Sequence, residues 1–116
     1  MATTSELVAR YTDAWDAKDE ATFRAMVADG CVRHDPGSTT TISLDDNVAR
    51  FRATHERFPG LRFTSAAMWE HGDDTITVCF SMTSGDTELS AIEVFRFADG
   101  RIVEVWNAPA GTGRWG

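Results

Sequence analysis

A chain of 116 residues with 42% hydrophobic and 25% charged residues has the composition of one globular domain, residues 1–116, with a core but no room for a second. Eleven Lys and Arg against 18 Asp and Glu leave a formal charge of −7, which opposes binding to nucleic acid or to an anionic membrane surface. Every apolar run is interrupted before it reaches the length of a membrane span or a signal-peptide core, so the expected location is cytoplasmic.

The spacing Thr3-x-x-Glu6 predicts a capped helix over residues 5–18, with Leu7, Val8, Tyr11, Ala14 and Trp15 on one stripe and Arg10, Asp13 and Asp16 opposite. Tyr11 and Trp15 therefore point inward. A second helix, beginning at Asp19 or Glu20 and reaching Ala28, has Asp19 as its cap, Phe23, Met26 and Val27 as its buried stripe, and Gly30 as its stop. The two helices, joined by almost nothing, must pack as a hairpin.

A first strand over residues 31–35 ends at Pro36, which offers no N–H and biases the residue before it toward extended geometry. Asp35 is thus held at a rigid strand end, and Arg33 shares its face. Asp-Pro-Gly is by itself only a turn signal; what else the chain brings to Asp35 decides its meaning. Residues 36–42 read as an irregular pocket rim. A third helix follows over residues 44–58, capped by Ser43 and closed by Pro59-Gly60, with Leu44, Val48, Phe51 and Phe58 as its apolar stripe. His55 falls on the same stripe, where a histidine is more often a hydrogen-bonded core residue than a catalyst.

After Gly60 the period changes to two. Strands are expected over residues 61–71, 75–84, 87–97 and 101–107, joined by short Gly- and Asp-containing turns into an antiparallel meander, and helices gathered at the N-terminus make the class α+β. In the third of these strands Leu89, Ala91, Glu93, Phe95 and Phe97 share one face. Glu93 stands alone there among apolar neighbours, so it must be protonated, paired with a cation, or open onto a cavity. Arg33 is the candidate cation, in which case an Arg33–Glu93 bridge would be purely structural. Asn107, alternating with Val103 and Val105, offers the same region a neutral amide. Ile92, Val94, Ile102 and Trp106 form a second apolar face that the helices cannot also cover, which predicts a homodimer. Residues 111–116 read as a loosely ordered tail. Cys31 and Cys79, like His34, His55 and His71, lack metal-ligand spacing, so neither a metal nor another cofactor is expected.

Two helices, a short strand ending in Asp35-Pro36, a third helix and a meander closing on Gly100-Arg101-Ile102-Val103-Glu104-Val105-Trp106 resemble the nuclear transport factor 2-like superfamily, which includes ketosteroid isomerases and SnoaL-like polyketide cyclases. The strongest pieces run from Ala9-Arg10-Tyr11 to His34-Asp35-Pro36-Gly37, at the isomerases' tyrosine-to-aspartate spacing, and through Ala91-Ile92-Glu93-Val94-Phe95-Arg96-Phe97. The resemblance covers nearly the whole chain. It implies a cone-shaped fold, three N-terminal helices packed in a curved, mostly antiparallel sheet. It also implies Asp35 as a general base beside a carbonyl, Tyr11 as donor to the enolate oxygen, and Glu93 as a protonated second donor. The sequence departs from the isomerases at Met26-Val27, where they carry a further tyrosine, at Glu93, where they carry Asp, and at Arg33, where they carry an apolar residue. It departs from the cyclases at Val105, where a histidine is usual.

On this reading Trp15, Phe51, His55, Phe58, Phe80, Met82 and Phe95 line an apolar pocket with Arg33 and Asn107 at its polar end, and the partner is a small, mostly apolar ketone of steroid-like or polyketide-like shape. The alternative is a non-catalytic module that binds a small apolar ligand or serves assembly, with Arg33, Asp35 and Glu93 as a structural charge cluster. A third reading pairs Asp35 with His34 or His55 as the acid and base of a dehydratase.

Overall fold

The Thr3 hydroxyl accepts the Glu6 N–H at 3.1 Å while Glu6 accepts the Thr3 N–H at 3.1 Å, and this reciprocal cap starts helix α1 (Thr4–Asp16). The computed structural model describes residues 2–116. Helix α2 (Glu20–Met26) is capped by Asp19, which accepts the Thr22 N–H. It stops earlier than its sequence suggests, because Val27 is already extended and opens strand β1 (Val27–Asp35). Val27 pairs with Ile102, and that tertiary pairing wins over one more turn of helix. Gly30 therefore lies inside the strand, at a positive φ of 75°, where the register with β6 shifts between Val27 and Val32.

Residues 36–42 are not an irregular rim. After a turn at Pro36-Gly37 the chain folds back as strand β2 (Ser38–Ile42), antiparallel to β1 from Asp35↔Ser38 to Cys31↔Ile42. The Thr-rich run is exposed on both faces save at Ile42, so no alternation of apolar and polar residues announced it. Helix α3 (Leu44–Arg57) follows, with the Ser43 hydroxyl accepting the Asp46 N–H.

Strands β3 (Arg62–His71), β4 (Thr75–Ser84), β5 (Thr87–Ala98) and β6 (Arg101–Thr112) complete one six-stranded sheet in the order β2-β1-β6-β5-β4-β3. All neighbours are antiparallel except β1 and β6, so the sheet is mixed and open. The three helices lie against its concave face. Val8, Phe23, Met26, Val27, Ile76, Val78, Phe95 and Ile102 are almost wholly buried between the layers. Trp15 packs its ring 4.5 Å from Phe51 and 5.6 Å from Phe23, centroid to centroid, tying α1 to α2 and α3. Among the described residues no helix is long and apolar enough to cross a membrane.

A bulge corrects one expectation about the sheet's faces. Arg96 pairs with Glu104 but Phe97 pairs with Ile102, so Val103 is the extra residue. It turns Ile102 inward, where it is 1% exposed, and removes it from the outer apolar face on which simple alternation would put it. The tail is also more fixed than expected. Strand β6 continues to Thr112, Gly113 N–H bonds Glu88 O, and Trp115 donates from its backbone to Ser81 Oγ (3.0 Å) and from its indole to Phe80 O (2.8 Å).

Candidate active site

The concave side of the sheet does not close completely on the helices. A hollow of about 110 Å³, or about 740 Å³ with its open mouth, is walled by Tyr11 and Trp15 of α1, Arg50 of α3, Arg33 of β1, and Glu93 of β5. Strands place these groups by alternation: Arg33 is paired with Val105, Phe95 with Val105, and Glu93 with Asn107, so all face the same side.

Asp35 does not itself line this hollow but is joined to its wall through Arg33. Arg33 Nε donates to Asp35 Oδ2 at 3.0 Å and Asn107 Nδ2 donates to Asp35 Oδ1 at 3.1 Å, so both carboxylate oxygens are held. Arg33 thus turns to the acid two residues along its own strand, and the bridge to Glu93 that the sequence allowed does not form. Partial burial works to raise the Asp35 carboxyl, but the bonds from Arg33 and Asn107 outweigh it and leave the group below its ordinary range. Asp35 is an ionised carboxylate at neutral pH.

Glu93 has the opposite surroundings. Among the described residues nothing hydrogen-bonds or ion-pairs with its carboxyl, and burial pushes it above the ordinary value, against the pull of Arg33 and Arg50 and with a further push from Asp35. Burial also pushes the Tyr11 phenol up, with Glu93 adding to it, to about 12. The wall of the hollow thus carries a phenol and a carboxyl group that are both harder to ionise than usual, and an ionised carboxylate is bonded to that wall through Arg33.

Of the residues the sequence points to, Tyr11, Trp15, Arg33, Phe80 and Glu93 line the hollow. Asp35 and Asn107 do not line it; they border a shallow groove beside His34, Ile92, Val94 and Trp106, and Asp35 meets the hollow's wall through its bond to Arg33. Phe51, Met82, Phe95 and His55 lie in the core behind the wall, and Phe58 packs at the core's margin under Arg57. The reason is the rotation of α3. Its stripe Val48, Phe51, His55 faces the core, and the adjacent stripe Asn47, Arg50, Thr54 faces the hollow. Among the described residues neither ring nitrogen of His55 has a hydrogen-bond partner, so it is a core residue but not a hydrogen-bonded one; burial and then Lys18 hold its pKa below the usual histidine value. Its ring is 4.7 Å from that of Phe51.

Sequence reasoning missed Arg50, Asn47, Thr54 and Thr12. The signal for the first three was a polar stripe at spacings of three and four immediately beside the apolar one on α3. Among the described residues no three His, Cys, Asp or Glu side chains gather as a metal site would require.

The fold is similar to several solved structures. Wild-type IdmH from Streptomyces antibioticus, a candidate polyketide cyclase, is 21% identical, with 90% of each chain covered and a TM-score of 0.78. A candidate ketosteroid isomerase from Kribbella flavida is 17% identical, covering 95% of this chain and 79% of that one at a TM-score of 0.76. A SnoaL-like protein of unknown function from Burkholderia thailandensis is 24% identical, covering 92% and 94%, also at 0.76. At these identities the likeness establishes the fold alone. No curated protein matches the chain. The family model described as a SnoaL-like domain matches residues 8–105, which takes in Tyr11, Asp35, Glu93 and every element from α1 to the middle of β6, and the chain belongs to that family.

Proposed function

We propose that the chain is a cofactor-independent acid–base enzyme that removes a proton from the carbon beside a carbonyl in a small, mostly apolar ketone of steroid-like or polyketide-like shape. The observation that carries this is the half-buried Glu93, without a partner among the described residues, in the same wall as Tyr11, with an ionised Asp35 bonded to that wall through Arg33. An Asp35 oxygen takes the proton from carbon, and the electron pair left behind moves onto the carbonyl oxygen. Tyr11 and Glu93, both protonated, donate hydrogen bonds where that charge develops. Asn107 and Arg33 orient the Asp35 carboxylate, and returning the proton to a different carbon, or attack of the enolate on a second carbonyl, completes an isomerisation or a cyclisation.

Deuterium incorporation from heavy water into β-tetralone and bicyclic β-diketones, followed by NMR, tests this. The expected result is exchange at the α-carbon that the protein accelerates and that Asp35→Asn removes; ketones that bind without faster exchange would overturn it. The second reading, a ligand-binding module without turnover, draws on the ion pair itself, since Arg33 makes Asp35 a weaker base.

We also propose that a second copy of this chain covers the convex face. Trp69, Thr77, Val94, Trp106 and His34 form one continuous row across five strands, with Trp69 54% and Trp106 39% exposed. His34 stacks on Trp106 at 4.8 Å, and a face so rich in aromatic and β-branched side chains is self-complementary in a two-fold pair.

A further inference from the structure

Two guanidinium groups border the hollow, and the reaction proposed above uses neither of them on the substrate. Arg33 has only its Nε engaged, on Asp35; its two terminal nitrogens have no partner among the described residues, although its side chain is only 18% exposed. Arg50 has one bond, from Nη2 to Asn47 Oδ1 at 3.3 Å, and among the described residues no carboxylate lies within ion-pairing distance of it. Arg52, two residues further along the same helix, points away and is held by both oxygens of Glu20. Arg50 is thus turned to the hollow by the helix period and left without a counter-charge.

The local charge is opposite in sign to that of the molecule. The chain carries −7, yet at the hollow two arginines face a single ionised carboxylate, Asp35, when Glu93 holds its proton. A singly charged anion brought to Arg50 makes the site neutral. Guanidinium nitrogens paired in a plane match the two oxygens of a carboxylate, which carries the single charge that neutralises the site.

We infer that the hollow takes a substrate bearing a carboxylate beside its carbonyl, and that Arg50, together with the terminal nitrogens of Arg33, binds that carboxylate and sets specificity for it. This deepens the reading of the hollow as a substrate site, but it is a statement about binding and does not depend on turnover. The anion also supports the acid–base chemistry. A second negative charge near Glu93 disfavours its ionisation, so the ligand that fills the site keeps Glu93 in the donor form.

Calorimetric titration of the full chain with β-naphthoate and its isosteric amide, β-naphthamide, tests the inference without any reaction. The acid is expected to bind at least about tenfold more tightly than the amide, and added salt to weaken the acid alone. Arg50→Gln should remove that preference while leaving the amide's affinity unchanged, and Arg50→Lys should restore part of it. Because Arg50 is exposed and outside the core, these variants are expected to melt as the parent does. Equal affinity for acid and amide, a preference that survives Arg50→Gln, or no binding of the acid at about 1 mM overturns the inference. Failure of deuterium exchange with carboxylate binding intact would instead remove only the catalytic reading.

Discussion

Glu93 stands directly opposite Asn107 across β5 and β6, yet the Asn107 amide donates its hydrogen bond to Asp35 and none to Glu93. Burial on Glu93, and the bonds from Arg33 and Asn107 on Asp35, thus give the two carboxyl groups opposite surroundings. Asp35 receives two donors and is held below its ordinary range, and Glu93 receives none and is pushed above it. Two acids whose surroundings drive them apart in this way can act as base and acid at one pH.

Asp35→Asn keeps the shape and an acceptor oxygen for Arg33 while removing the base. The expected outcome is a fall of roughly 10²–10⁴ in the α-exchange rate with a melting temperature close to that of the parent or above it. Exchange by NMR and a thermal melt on the same sample check both. A chain that no longer folds would mark Arg33, Asp35 and Asn107 as a structural cluster.

Tyr11→Phe removes one donor to the developing enolate and leaves the ring that packs against Phe23 and Phe95. Turnover should drop by about 10²–10³ with little change in KM, because the bond strengthens only as charge builds on oxygen. Steady-state kinetics on whichever ketone exchanges fastest would show it, and a rise in KM alone would count against the role.

Glu93 makes stability depend on pH. Between its ordinary value of 4.5 and its raised folded value the folded chain binds more protons than the unfolded one, so stability falls as pH rises through that window. Glu93→Gln should flatten the slope and raise stability at neutral pH, read from urea melts across a pH series. An unchanged slope would mean that Glu93 is ionised and paired in solution.

His55 acts in the other direction. Its folded pKa lies below the ordinary 6.5, so the unfolded chain takes up the proton first and stability is lost as pH falls below 6.5. His55→Leu should abolish that loss and add about 1 kcal/mol at acid pH by removing two unpartnered buried nitrogens. Exchange activity should not change, and a large loss of activity would revive the pairing of Asp35 with His55 as acid and base.

The convex face gives a test of assembly. Sedimentation at micromolar concentration should show a dimer for the parent and a monomer for Val94→Arg, which puts a charge in the middle of the Trp69–Thr77–Val94–Trp106 row. A monomeric parent would remove the second copy from the proposal.

The sequence by itself determined the elements whose signals are local. Thr3 and Ser43 start their helices through bonds three residues away, and the alternation Ile76, Val78, Phe80, Met82 fixes a face by the pleat alone. It also singled out Tyr11, Asp35 and Glu93, because a polar group on an apolar face or a strand end is visible as a break in a pattern. Only the tertiary structure decided the rest, since each depended on a partner distant in the chain. Val27 left its helix to pair with Ile102, the Thr-rich run became β2 by folding onto β1, and the bulge at Val103 reversed the direction of Ile102. The choice of Arg33 between Asp35 and Glu93 likewise follows from packing, which no spacing of residues along the chain encodes, whereas the turn of α3 that gives Arg50 to the hollow and His55 to the core left its trace in the adjacent polar and apolar stripes.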